Sequence, residues 1–315
     1  MNKFKKSLLL ITALCIVLAV TACSDKEQNT DIDDKNVLAT VNGKALSKEE
    51  YDKSLAYYKD YVEYQYGENT WETEATKGLT YKEYYENYVM DTMTYRLLLL
   101  DAAEKEGLTA SEEEKQHELE NFKVYFQNDE DYKKYLEQSN MTEENLLAEL
   151  SNDILINQYV LSKIENLNPS DDELKTIFDD LRMNVQIKAS HILVDTEEES
   201  LKVIERINKG EDFAELAKEL STDLGSGANG GDLDYFNYGK MVQPFSEAAF
   251  ALEIGEVSEP VQSDFGYHII KLTDRIVDND MTVETEKDQL TEYYKTYKYE
   301  DLLEKLKSEA EIVKN

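Results

Sequence analysis

Histidine is the side chain whose charge changes nearest neutral pH, and this 315-residue chain has only three. Two sit in apolar, β-branched runs, His191 in Ala189-Ser190-His191-Ile192-Leu193-Val194 and His268 in Gly266-Tyr267-His268-Ile269-Ile270. Such runs read as strands. A strand histidine points either into a core, satisfied by hydrogen bonds, or into a site. A Gly-rich turn (Asp223 to Gly231), Met241 and Phe245 lie between the pair, so the site reading gains: ring nitrogens beside an apolar slot. His117 lies in a charged helical stretch and carries no assignment.

Several chemistries fail on the same residues. Gly225-Ser226-Gly227-Ala228-Asn229-Gly230 fits G-x-G-x-x-G, but a helix precedes it and extended chain follows, so it lacks the context that holds a pyrophosphate. Asp264-Phe265-Gly266 copies a kinase tripeptide without the catalytic loop or strand lysine. No Cys or further His accompanies His191 and His268, so no metal is predicted, and no cofactor is implied.

The elements follow from patterning. Val37–Val41 reads as a short strand, Asn42-Gly43 as a turn, and Ser47-Lys48-Glu49-Glu50 as a helix start. Helical spacing continues to about 167, with fresh starts at Ser111 and Thr142. Another helix opens at Pro169-Ser170-Asp171 and runs to about Leu181. Composition then shifts to most of the glycines and two of the three prolines. A strand is predicted over Val185–Val194, helices over Glu197–Asn208, Asp212–Leu220 and Phe245–Phe250, and a closing strand over Gly266–Leu272. Helix returns from about Val283 to Leu306, and Ala310-Glu311-Ile312-Val313 reads as a last strand. The expected fold class is α+β: a small antiparallel sheet with surrounding helices (183–276), inserted in a helical domain built from 36–182 and 277–315.

The N-terminus sets the compartment. Lys3, Lys5 and Lys6 precede an apolar run from Ser7 to Val20, then Val20-Thr21-Ala22-Cys23, which reads as a secretory signal peptide over 1–22. Small residues before Cys23 resemble the lipobox of bacterial lipoproteins, which implies an N-acylated, S-diacylglyceryl Cys23 on a polar tether (23–35). The other cysteine, Cys15, leaves with the signal peptide, so no disulfide and no thiol nucleophile remain. The formal charge of −33 excludes nucleic acid, which needs a basic surface, and adsorption to anionic headgroups. Most of the 22 tyrosines precede Pro169. Adjacent pairs such as Tyr57-Tyr58 and Tyr84-Tyr85 cannot both face one core, so some rings are expected in solvent, on a surface suited to unfolded polypeptide or to a homodimer.

Seven motifs occur in order within 184–276: the two histidine strands, Leu220-Ser221-Thr222-Asp223, Gly230-Gly231-Asp232-Leu233, Gly239-Lys240-Met241, Gln243 to Leu252, and Gly255 to Val261. The series resembles the parvulin family of peptidyl-prolyl cis-trans isomerases. With the lipobox and helical flanks, the whole chain resembles PrsA-type foldase lipoproteins on the outer face of a Gram-positive-type cytoplasmic membrane. The resemblance implies a proline pocket of Leu233, Met241 and Phe245 with Phe265 at its rim. It also implies a hydrogen-bonded His191–His268 pair, and Asp223 at a position that is Cys or Asp in the family.

The physics fits. The isomerisation barrier of ~18–20 kcal/mol comes from amide resonance. A catalyst needs to bind the twisted amide better than either planar form, in an apolar slot beside a preorganised polar network. No bond to hydrogen changes, so a general-base role for histidine is not expected. Phosphate-directed parvulins carry a basic loop after the first strand; here it is Asp195-Thr196-Glu197-Glu198-Glu199, so the expected substrates are unphosphorylated X–Pro bonds in exported proteins. Asp234 replaces a usual glycine and puts the turn beside Leu233 in question. The rival reading is a holdase that binds unfolded chains with little isomerase activity.

Overall fold

The computed structural model describes residues 36–76, 78–139 and 141–314. The signal peptide, Cys23 and the tether expected from the sequence lie outside them. Among the described residues, no helix is long and apolar enough to cross a membrane. The chain divides into two compact units: 79–167 and 295–315 with the described residues before 76, and 168–294 with 76–78.

In the first unit β1 (Val37–Val41) and β2 (Lys44–Ser47) form a hairpin. Its turn needs two residues at positive φ, and Asn42 (51°) and Gly43 (80°) supply them. The last strand, β9 (Ile312–Lys314), pairs antiparallel with β1. Asn42 pins it there: its N–H donates to Glu311 O, its Oδ1 accepts from Glu311 N–H, and its Nδ2 donates to Asp101 Oδ2 at 2.7 Å. The helices are α1 (Lys48–Tyr66), α2 (Tyr81–Lys105), α3 (Glu112–Lys123), α4 (Asp129–Gln138) and α5 (Glu143–Ile164). Each starts at a capping side chain that satisfies orphan N–H groups: Ser47, Thr80, Ser111, Asn128 and Thr142. A small hairpin, β3 (Glu74–Thr76) and β4 (Leu79–Thr80), interrupts the predicted helical run before α2. Leu99, Leu100 and Ala103 of α2 pack with Ile156, Val160 and Ile164 of α5.

The second unit is built on a four-stranded antiparallel sheet, order β6-β5-β8-β7. Its strands are β5 (Val185–Val194), β6 (Asp232–Asn237), β7 (Val261–Ser263) and β8 (Gly266–Val277). Around it lie α6 (Asp171–Asp180), α7 (Glu197–Asn208), α8 (Phe213–Leu220) and α9 (Gln243–Ala251). Alternate residues of a strand face opposite sides, and both sides of β5 are covered. Ile192 and Val194, with Ile269 of β8, pack on Val203 of α7 and Phe213 and Leu216 of α8. Ile187 and Ala189, with Ile270 and Leu272, pack on Phe245, Ala249 and Phe250 of α9. Burial on both sides explains why these strands read as nearly unbroken apolar runs.

The final helix, α10 (Lys287–Glu309), carries residues of both units. Its Leu290 is buried with Leu174, Ile177 and Phe178 of α6, while Leu302, Leu303 and Leu306 join the α2–α5 core. By packing, therefore, the divisions fall at 167/168 and 294/295, whereas the sequence reading divides at 182/183 and 276/277. The cause is the apolar face of α6, which closes on Leu290 rather than on the helices before it.

One contact fixes the end of α9. Arg275 Nη2 donates to Phe250 O (3.1 Å) and Leu252 O (2.7 Å), carbonyls a helix C-terminus leaves without partners. The Arg275 Nε is buried without a hydrogen-bond partner, which offsets part of the gain. Arg275→Ala is therefore expected to cost about 2 kcal/mol in urea unfolding, near the lower end for bonds to a charged group. A loss below about 0.5 kcal/mol would show that the cap contributes nothing.

Candidate active site

His191 and His268 sit on adjacent strands. His268 pairs with Leu193, two residues beyond His191 on the same side of β5, which makes the two histidines diagonal neighbours. Both are buried, 6% and 5% exposed. Their rings stack at 5.3 Å and 18°, and the two Nδ1 atoms are 3.1 Å apart. His191 Nε2 lies 2.8 Å from Asp223 Oδ2, and His268 Nε2 lies 2.7 Å from Ser263 Oγ.

For two neutral rings these contacts fit one proton order. Asp223 Oδ2 accepts from Ser226 Oγ, and Oδ1 accepts from the Gly225 N–H at 2.9 Å. The Ser226 bond, with those from His191 and Gly225, holds Asp223 down to about 2. A carboxylate only accepts, so His191 Nε2 carries hydrogen and, in the neutral ring, Nδ1 accepts from His268 Nδ1–H. His268 Nε2 then accepts from the Ser263 hydroxyl, whose oxygen accepts the Phe265 N–H at 3.1 Å. The bonds run in one direction from the Phe265 backbone to the Asp223 carboxylate. Burial, reinforced by His191, holds His268 down to about 4, so this ring is neutral at pH 7.

Loops bring these groups together through specific local geometry. The Thr222 N–H donates to Leu193 O at 2.8 Å, which lays the Asp223 loop along the end of β5. Gly231, at φ 78°, exchanges a bond with His191, whose N–H donates to Gly231 O at 2.9 Å. A Cβ there would lie 2.1 Å from His191 O, so only glycine allows this approach. Asp234 takes a left-handed φ of 55°, and its N–H donates to the Asp232 side chain at 2.9 Å. Asp tolerates that conformation better than most residues, so the turn beside Leu233 closes without a glycine.

An apolar wall lies against the pair. Phe245 is 2% exposed and meets both rings edge-on, His191 at 5.6 Å and His268 at 5.2 Å. Leu233 and Met241, both partly buried, pack on the cluster that contains Phe245. Phe265 stands 60% exposed, tied to the network through its backbone. The structure thus links His191, Asp223 and His268 directly, groups Leu233, Met241 and Phe245 beside them, and leaves the Phe265 ring in solvent. The sequence reading passed over Ser226 and Ser263, both buried. Ser226 sits in the glycine run set aside as a failed nucleotide motif, and Ser263 lies five residues before His268. Among the described residues, no group of three or more His, Cys, Asp and Glu side chains is placed to hold a metal ion.

The sheet and its histidine pair define a class of domain. Residues 173–276 match the PPIC-type PPIASE domain, and residues 1–160 match the SurA-like N-terminal domain. The chain is 32% identical to the foldase protein PrsA of Caldanaerobacter subterraneus subsp. tengcongensis, over 85% of this chain and 82% of that one. It is 29% identical to the foldase protein PrsA of Clostridium tetani, over 99% of this chain and 96% of that one. A crystal structure of the peptidylprolyl isomerase PrsA from Bacillus anthracis shares 30% identity, covers 68% of this chain and 95% of that one, and superposes with a TM-score of 0.47. The chain belongs to the PrsA foldase family and is a parvulin-type peptidyl-prolyl cis-trans isomerase.

Proposed function

We propose that the protein is a membrane-anchored foldase that isomerises X–Pro bonds in exported proteins at the outer face of the cytoplasmic membrane. The observation that carries the reading is the continuous hydrogen-bonded chain linking Phe265, Ser263, His268, His191 and Asp223, set against the Phe245 wall. In this reading Leu233, Met241 and Phe245 hold the proline ring, with Phe265 closing over it from the rim. The ordered chain fixes the electrostatic surroundings of the adjacent amide in advance. Donors and dipoles that need no reorganisation favour the twisted state in which amide resonance is lost. Neither histidine exchanges a proton with substrate.

The test is refolding of a protein whose slow phase is set by proline isomerisation, tens to hundreds of seconds without a catalyst. Catalytic amounts of this protein are expected to shorten that phase. The double variant His191→Ala/Met241→Ala is expected to leave it unchanged. An unaltered slow phase with the parent protein would contradict the reading.

A second activity is supported by the first unit. Tyr58, Tyr85 and Trp71 stack on one another at 4.6 and 6.0 Å, while Tyr57, Tyr61, Tyr64, Tyr66, Tyr84 and Tyr88 are exposed around them. Tyrosine offers a large apolar body with a polar tip at low entropic cost, which suits transient grip on unfolded clients. Suppression of client aggregation by the double variant would assign holding to this unit.

The anchor rests on Cys23 and its lipobox-like context. One acyl chain gives marginal binding and two or more give stable anchoring. Cys23→Ser is expected to move the protein from the membrane fraction to the medium. Unchanged membrane retention would remove the lipid anchor from the account.

A further inference from the structure

Six aromatic rings of the first unit form one connected surface. Tyr58 and Tyr85 stack at 4.6 Å, and Tyr85 continues onto Trp71 at 6.0 Å, each pair within 18° of parallel. Three further rings stand nearly upright on this row. Tyr57 meets Tyr58 at 76°, Tyr84 meets Tyr85 at 88°, and Tyr88 meets both, at 84° and 81°. Each upright pair encloses a corner between two flat faces. Tyr58, Tyr85 and Trp71 are half-buried or buried, whereas Tyr57, Tyr84 and Tyr88 are exposed, so the corners lie at the surface. On α1, Tyr57, Tyr61 and Tyr64 recur at intervals of four and three, and all are exposed. Exposed rings therefore continue along about 10 Å of one helix face.

The chemistry of this surface narrows its ligand. Its polar groups are phenol hydroxyls, and those of Tyr57 and Tyr84 have no hydrogen-bond partner among the described residues. A phenol hydroxyl donates, so the surface suits a ligand with free carbonyls. A polyproline II segment is such a ligand, because it makes no internal hydrogen bonds and each proline keeps a carbonyl without an N–H. Its turn of about 9 Å is comparable with the exposed run on α1. An amphipathic helix satisfies its own carbonyls and leaves the donors unused. An added strand needs a sheet edge, and the rings come from α1, α2 and the helical turn Thr70–Glu72, which offer none. Residues 57–88 hold seven Asp and Glu against three Lys, so neutral or basic segments are favoured.

We propose that this aromatic face is a docking site for proline-rich segments of unfolded clients in the polyproline II conformation. The corners between rings seat proline rings, and the free phenol hydroxyls donate to the backbone carbonyls between them. That conformation is extended before binding, so little chain entropy is lost on docking. The site rests on the holding activity proposed above for this unit and names the client feature that it selects. Clients held in this way carry the X–Pro bonds on which the isomerase acts.

Trp71 is the only tryptophan of the chain and ends the stacked row, so its fluorescence reports this face. The test is titration of the protein, followed at Trp71, with Lys-(Pro-Pro-Ser)3-Lys and with Lys-(Leu-Ala-Ser)3-Lys, a proline-free peptide of the same length and charge. The proline peptide is expected to bind about tenfold more tightly. Tyr57→Ala/Tyr84→Ala removes two exposed rings and is expected to weaken its binding about 30-fold. Tyr57→Phe/Tyr84→Phe removes only the hydroxyls and is expected to weaken it about fivefold. Both side chains are exposed, so neither pair of substitutions opens the core. Equal affinity for the two peptides would overturn proline selection while leaving a general holding face intact. Binding of the proline peptide that Tyr57→Ala/Tyr84→Ala leaves unchanged would also overturn the site. A Trp71 signal that changes with protein concentration alone would overturn it by making a second copy the occupant. Failure of the parent protein to suppress aggregation of an unfolded client would instead contradict the holding activity itself.

Discussion

Phe245→Ala is expected to lower kcat/KM for X–Pro isomerisation by about 100-fold and to destabilise the second unit by about 3–5 kcal/mol. The large effect follows from the double duty of the ring. It is buried in the core formed by α9 with β5 and β8, so truncation leaves a cavity that the sheet cannot collapse to fill. It also lies edge-on to both His191 and His268. Aromatic edge contacts contribute about 0.5–1.5 kcal/mol each beyond their buried area. Losing both, together with the flat wall proposed for the proline ring, accounts for a rate effect near two orders of magnitude. Phe245→Leu separates the two roles. It keeps most of the volume, so its stability loss is expected to stay below about 1.5 kcal/mol, while it still lacks the edges that hold the histidines. Its kcat/KM is expected to fall about tenfold. Rates measured at 10 °C, with circular dichroism confirming the fold, give both numbers. A folded Phe245→Ala protein within threefold of the parent rate would place the proline pocket elsewhere.

The second large effect is on stability at mildly acidic pH. An unfolded histidine takes up a proton below about 6.5, whereas burial keeps His268 in the folded protein neutral until about 4. Between those values the unfolded chain binds more protons than the folded one, so stability rises with pH there. The stabilisation is fully present above 6.5 and is lost as pH falls toward 4. A shift of this size corresponds to roughly 3 kcal/mol. Asp223 acts in a lower window. Its folded value near 2 against an ordinary 3.8 gives stability that is present above 3.8 and lost as pH falls through 2. Its side chain is 30% exposed, so the contribution is smaller, about 1–2 kcal/mol. Urea unfolding at pH 7 and pH 4.5 isolates the histidine window. The parent protein is expected to lose about 2–3 kcal/mol more than His268→Gln over that interval. An equal loss in both would assign the acid sensitivity to other groups.

How far the sequence reaches depends on the kind of signal each element carries. The boundaries of β5 are legible because both faces are buried, and Asp195 ends the apolar run. The start of α7 is legible from Thr196 and Glu199, which form the reciprocal cap the spacing implies. The short strands β2, β3, β4 and β7 are not. Two to four residues carry no periodicity, and pairing with a neighbour makes them strands. The closing strand runs on to Val277 instead of stopping at Leu272. Thr273, Asp274 and Arg275 look like a polar exit, yet β8 keeps its pairing with Val185–Lys188 across a register shift. The partnership of α6 with Leu290 was hidden for another reason: an amphipathic pattern shows that a face is buried but not what buries it.

The candidate site divides along the same line. His191 and His268 stand out because polar rings are rare in apolar strands, and the order of surrounding motifs carried Asp223, Leu233, Met241 and Phe245. Ser226 and Ser263 do not stand out. Serine is common in loops, and these two gain importance only when folding delivers them to Asp223 and His268. Asp234 stands where the family resemblance implies a glycine. Its left-handed conformation and bond to Asp232 show how the turn keeps its shape.

In the proposed function the site catalyses rotation about the X–Pro bond without moving a proton. Exchange spectroscopy on an alanine–proline tetrapeptide, in H2O and in D2O, tests this most directly. Catalytic amounts of the protein are expected to speed cis-trans exchange with a kcat/KM ratio between the two solvents close to one. No acceleration, or a ratio of about two or more that His191→Ala abolishes, would contradict it.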